Sequence, residues 1–114
     1  MKAVFVELPA FERHCPDYLG DEAFGRLQDE LMNNPLSGAI VDGAGGLRKL
    51  RYPDTRRGKG KRGGLRIIYY WWERGRQIWL FTLYDKDEAS DLAPKQLRAM
   101  KDRLKLELAI RSRQ

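Results

Sequence analysis

Residues 65–84 constrain the fold more than any other part of the chain. They read LRIIYYWW, then ERGR, then QIWLFTLY. These are two runs of β-branched and aromatic residues around a short polar turn, the pattern of a β-hairpin. Arg74-Gly75-Arg76 supplies the turn. Both faces are apolar over much of the hairpin. A strand with one face in water alternates apolar and polar residues, so this pair belongs at the centre of a sheet covered on both sides. By alternation Arg66, Ile68, Tyr70 and Trp72 share one face, and Ile67, Tyr69 and Trp71 share the other.

The flanking sequence supplies the cover. Lys2 to Glu7 reads as a strand that Pro9 ends, and Phe11 to His14 as a short helical turn before Pro16. Asp21 is a predicted N-cap for a helix to about Asn33, with Phe24, Leu27 and Leu31 on one face and Glu22 at the positive end of the dipole. Pro35 stops it. Residues 36–46 carry Gly38, Gly43, Gly45 and Gly46 and read as a loop. Leu47 to Tyr52 is a short predicted strand in which Leu50 and Tyr52 face away from Arg51. Residues 53–64 read as an exposed loop. Pro94 suits the first position of a helix to about Ile110, with Leu97, Met100, Leu104 and Leu108 on one face. That face needs a partner, either the sheet or another protein. The order is β-α-loop-β-β-β-α. It predicts one α+β domain over residues 1–114, a mostly antiparallel sheet of about four strands with N-terminal helices and a C-terminal helix.

The charge is uneven. Residues 1–47 hold 3 basic and 8 acidic side chains, and residues 67–114 hold 10 basic and 7 acidic. Residues 48–66, RKLRYPDTRRGKGKRGGLR, hold 9 basic and 1 acidic, which is +8 of a chain whose net charge is +6. Such a block binds phosphate by releasing condensed counterions and marks a nucleic-acid binder; the plainer reading is a solvated basic loop. No apolar run approaches the ~20 residues of a membrane helix, and the N-terminus lacks a secretory cleavage pattern. A lone cysteine, Cys15, excludes an internal disulfide framework and a Cys-based zinc site. We therefore expect a cytoplasmic protein without membrane association.

The strand KAVFVE, the acidic helix ending in NP, GAGGLRKLR, KGKRGGLRIIYY, WLFTLY and YDKDEASDLAPKQL, in this order, resemble the HigB/RelE-type toxins of bacterial type II toxin–antitoxin pairs. The likeness spans residues 2 to about 100 and is most specific at residues 59–70, the block of the HigB branch. It implies a RelE-like fold and a ribosome-dependent mRNA endoribonuclease that works in the ribosomal A site and inhibits translation. No cofactor or metal is implied. The 2′-hydroxyl attacks the adjacent phosphate to leave a 2′,3′-cyclic phosphate and a 5′-hydroxyl. The implied partners are rRNA and mRNA, a cognate helix-turn-helix antitoxin, and operator DNA only as the toxin–antitoxin complex. The acidic N-terminal helix and the Leu97/Met100/Leu104 face are both candidate antitoxin contacts.

In-line attack needs a proton acceptor, cations for the equatorial charge and a proton donor for the leaving oxygen. The resemblance places Lys49 and Arg51 on one strand and Arg66 on the next, close enough to converge on one phosphate. Arg66 would grip it bidentately. Lys49 is the candidate proton acceptor if clustering with Arg48, Arg51 and Arg66 lowers its pKa. Lys86 is either a surface lysine or a phosphate contact or proton donor at the same end of the sheet. Asp87, Glu88 and Asp91 either orient Lys86 or cap the last helix. The chain departs from the RelE pattern: Asp87 stands where a basic residue is usual, no aromatic hydroxyl lies near Ala93, and His14 is too far upstream to match the histidines of some HigB variants. Tyr84 is the nearest hydroxyl. Arg48, Lys59, Lys61 and Arg62 are candidate RNA contacts, and Tyr70 is the aromatic expected nearest the RNA, although core packing is the plainer role for the hairpin aromatics. Two other functions compete: a ParE-like toxin that poisons DNA gyrase, and a non-catalytic RNA- or ribosome-binding module.

Overall fold

A computed structural model describes residues 3–58, 60, 64–88 and 92–112. The sheet is built from β1 (Val4–Glu7), β2 (Ala39–Ile40), β3 (Arg48–Tyr52), β4 (Leu65–Trp72) and β5 (Gln77–Asp85), in the order β1-β5-β4-β3-β2. The predicted hairpin is β4–β5 and occupies the interior of the sheet. β1 pairs parallel with β5, and every other pair is antiparallel. The fifth strand is β2, which pairs only Ala39 with Lys49 and Ile40 with Arg48. Two residues inside a glycine-rich stretch carry no readable periodicity, which is why four strands were expected.

The helices are α1 (Pro9–Tyr18), α2 (Asp21–Asn33) and α3 (Pro94–Arg111). α1 replaces the short turn expected before Pro16. Pro16 lies in the last turn, where its missing N–H removes only the bond to the Glu12 carbonyl, and burial of Phe11 and Cys15 holds the helix. Gly20, not Asp21, is the N-cap of α2; Asp21 and Glu22 are its first-turn acids.

The sheet separates two cores. On one face Phe11, Cys15, Leu27 and Leu31 pack on Leu50, Ile67, Tyr69, Ile78, Leu80 and Leu83. On the other, Leu97, Met100, Leu104 and Leu108 of α3 pack around Ile68, Trp79 and Phe81. The apolar face of α3 is therefore committed to the sheet and is not a free antitoxin contact. Arg111 lies 5.1 Å over the Trp79 ring and donates to Gln77 Oε1 at 3.1 Å, which fixes the end of the helix.

The β4–β5 ladder slips between Ile68 and Tyr69: Ile68 pairs with Thr82, but Tyr69 pairs with Leu80. Phe81 is thus an extra residue on β5, a β-bulge. Beyond it Leu83 turns to the first core and Tyr84 to the α3 face. Without the bulge those two side chains would exchange faces.

Residues 53–58, the first part of the expected exposed loop, are ordered. Asp54 is 1% exposed, and Thr55–Arg57 form a 3₁₀ turn. Gly64 sits where the ends of the segment meet. A Cβ there would stand 2.5 Å from the Tyr52 carbonyl oxygen and 2.9 Å from the Asp54 nitrogen, both backbone atoms that cannot swing away. Gly64→Ala should cost 1–3 kcal/mol or more, on the order of an overpacked core site. Urea unfolding checks this; a midpoint within error of the wild type would show that the backbone yields.

Burial, then the nearby Glu7 and Asp21 carboxylates, push the Cys15 thiol up to about 11. Burial also raises Tyr69 and Tyr52. A raised value means that the folded state holds its proton longer than the unfolded state. The resulting stability is present below about pH 9 and is lost as pH rises through 11. From Cys15 alone the loss should reach about 2 kcal/mol at pH 11. The melting temperature should stay level to about pH 9 and then fall, less steeply in Cys15→Ala. Native Cys15 should resist alkylation at pH 8 and react only after unfolding.

Candidate nucleic-acid interface

The site is built by register. Arg51 of β3 pairs directly with Arg66 of β4, and Arg66 pairs with Tyr84 of β5. In the next row Lys49 pairs with Ile68, which pairs with Thr82. Residues paired in register share a face, so Lys49, Arg51, Arg66 and Tyr84 all project to the α3 side. Directly opposed side chains have Cβ atoms about 5 Å apart.

Arg66 is 3% exposed, whereas Arg51 is exposed. Its guanidinium donates to the Leu65 carbonyl at 3.1 Å. Burial first, and then the Arg51 charge, pull the Arg66 guanidinium below its usual range, with Tyr84 acting in the opposite sense. Two arginines facing each other across a ladder repel, and one of them is out of water. An anion held between them would relieve that repulsion.

α3 begins beside this row. Leu92 and Leu97 line a cleft of about 320 Å³ with Lys49, Val41 and Asp42. Leu92 also lines a second cavity, of about 330 Å³, with Thr82 and Tyr84. Lys49 and Tyr84 therefore flank the start of α3.

The other predicted site residues divide. Lys86 is half-buried, and its N–H donates to the Gly64 carbonyl at 3.1 Å, at the same end of the sheet as Arg66. Arg48 corrects the expected cluster. It pairs with Tyr69, on the face opposite Lys49, and its guanidinium donates to the Gly38 carbonyl at 2.8 Å and the Leu36 carbonyl at 3.3 Å. It clamps the β2 segment. Tyr70 also lies on the α3 face, one row beyond Ile68; it is half-buried and packs on Trp79 at the edge of the second core, with ring centroids 5.4 Å apart. Lys59, Lys61, Arg62 and Asp91 lie outside the described residues.

Neither Asp87 nor Glu88 is the N-cap of α3. Its N-cap is Ala93, whose N–H donates to Gln96 Oε1 at 2.9 Å. Glu88 accepts from the Tyr18 hydroxyl at 3.2 Å, and the Asp87 N–H donates to Asp85 at 2.8 Å.

Sequence reading missed His14. It lines the same cavity as Tyr84, brought there by α1. The available signal was helical spacing: Ala10, His14 and Tyr18 fall at i, i+4 and i+8 and form one stripe. The short turn expected before Pro16 concealed it. Among the described residues no group of three His, Cys, Asp or Glu side chains is placed to hold a metal, and no helix is long and apolar enough to cross a membrane.

No family model matches the sequence. The structure is similar to solved structures of E. coli proteins. The intact RelBE toxin–antitoxin complex contains a chain 12% identical, with a TM-score of 0.52 over 74% of this chain and 96% of that one. A mutant of E. coli toxin RelE in the free state is 16% identical, with a TM-score of 0.50 over 79% of this chain and 90% of that one. The domain has the RelE-like α+β fold. At these identities the likeness is one of fold.

Proposed function

We propose that this chain is the toxin of a type II toxin–antitoxin pair, of the HigB branch, and that it acts as a ribosome-dependent, metal-independent mRNA endoribonuclease. The observation that carries the reading is the Arg51–Arg66 pair: two opposed guanidiniums, one of them buried, with Lys49 and Tyr84 on the same face. Like charges directly opposed across a ladder disfavour each other, and an anion between them turns that repulsion into attraction. A site for a phosphorane-like transition state, whose equatorial oxygens gain charge, has use for both.

In this mechanism Lys49 accepts the proton of the 2′-hydroxyl. The 2′-oxygen attacks phosphorus, the bond to the 5′-oxygen breaks, and that oxygen takes a proton from Tyr84 or Lys86. Arg66 and Arg51 hold the non-bridging oxygens, where a forked donor matches the geometry better than a point charge. Lys59, Lys61 and Arg62 are assigned to RNA backbone on charge alone. The ribosomal A site orders the mRNA. A helix-turn-helix antitoxin neutralises the toxin in the cytoplasm, and operator DNA binds only the pair.

Primer extension on translated mRNA after induction tests the reading. Cuts at codon-linked positions in ribosome-engaged message are the expected result. DNA damage with intact mRNA would instead identify a gyrase poison, and neither effect would leave a non-catalytic RNA- or ribosome-binding module.

A further inference from the structure

The cavity beside Tyr84 lies between α1, the end of β5 and α3. Its α1 wall presents Arg13, His14 and Tyr18; its β5 wall presents Thr82 and Tyr84; Gln96 comes from α3. Met100 forms part of an apolar floor. The volume of about 330 Å³ falls within the usual range of small-ligand sites.

The lining has a definite chemistry. His14 and Tyr18 contribute aromatic rings to the lining. Thr82 offers a hydroxyl that can donate and accept, and Gln96, whose Oε1 accepts the Ala93 N–H, offers its amide N–H donors. Arg13, an exposed residue, adds a cation to the lining, and the Arg56 guanidinium lies over the Tyr18 ring, 5.7 Å from its centroid. Two aromatic rings, a hydroxyl and amide donors, with the exposed Arg13 beside them, match an unpaired nucleobase with its phosphate outside. The cavity also shares Tyr84 with the Arg51–Arg66 row, so a base seated there belongs to a nucleotide whose phosphate can reach the cations.

We infer that this cavity is a nucleobase subsite, which receives the base next to the scissile linkage and holds it between α1 and β5. The inference rests on the nuclease reading for its substrate, single-stranded RNA, and extends it to residues outside the phosphate cluster. His14 and Thr82 are the residues that would select the base.

The test is titration of the isotope-labelled full chain with the four nucleoside 5′-monophosphates and with inorganic phosphate, followed by backbone amide shifts. The expected result is saturable shifts at residues 13–18, 82–84 and 96 with at least one nucleotide, and none there with phosphate. His14→Ala and Thr82→Val, on separate elements and each checked for a native spectrum, should weaken that binding at least tenfold. Equal responses to phosphate and nucleotide, no saturable shift at these positions, or both variants binding like the wild type would each overturn the subsite. A protein that cuts translated mRNA but fails this titration loses the subsite and keeps the nuclease reading. One that binds nucleotide here but leaves mRNA whole keeps the subsite and loses the nuclease.

Discussion

Arg66→Ala should lower the single-turnover rate of mRNA cleavage on programmed ribosomes by about 10²–10³, the usual effect of removing one preorganised donor from a developing oxyanion. The effect is expected to be this large because Arg66 is 3% exposed: its charge acts at short range with little water to screen it. Arg66→Lys should recover little, since an ammonium cannot supply two parallel N–H bonds. Ribosome affinity should change much less, because it is spread over many cations. Arg51→Ala gives the complementary signature. It removes the charge opposite Arg66 and so should slow cleavage while slightly raising the melting temperature of the free protein. Cleavage by Arg66→Ala within threefold of the wild type would make the buried guanidinium a structural group and remove it from the mechanism.

Tyr69→Ala should destabilise the fold by about 3–5 kcal/mol, the cost of emptying a large aromatic site. Tyr69 is fully buried at the centre of β4 in the first core. Its hydroxyl accepts from the Gly38 N–H at 2.9 Å and donates to the Pro35 carbonyl at 2.7 Å. One side chain thus fills the core and ties the segment before β2 to the sheet. Arg48 ties the same segment from β3. Tyr69→Phe isolates the polar part and should cost about 1–3 kcal/mol, because the Gly38 N–H is left buried without its acceptor. Domains of this kind carry about 5–15 kcal/mol in all, so Tyr69→Ala should leave little folded protein at moderate urea. A Tyr69→Phe midpoint equal to the wild type would mean that water replaces the hydroxyl.

Much of the architecture is local and was therefore legible. The hairpin, the α2 stripe of Phe24, Leu27 and Leu31, and the α3 stripe through Leu104 each follow from the period of one short segment. So does the shared face of Lys49 and Arg51, two residues apart on one strand. The sites of error were also local in cause. The two residues of β2 are too few to show a period, and Pro16 looked like a stop although it falls where a helix can spare one bond.

What the amino-acid order determined by itself was the set of elements, the two-faced burial of β4 and β5, and the concentration of cations between residues 48 and 66. Only the tertiary structure decided the pairing of Arg51 with Arg66, the turn of Tyr84 toward them beyond the bulge at Phe81, the retreat of Arg48 to the far face, and the arrival of His14 beside Tyr84. The physical reason is that a strand's own alternation says which of its residues share a side. Which residue lies opposite on the next strand, and which helix closes over it, is a balance struck among distant segments as both cores fill.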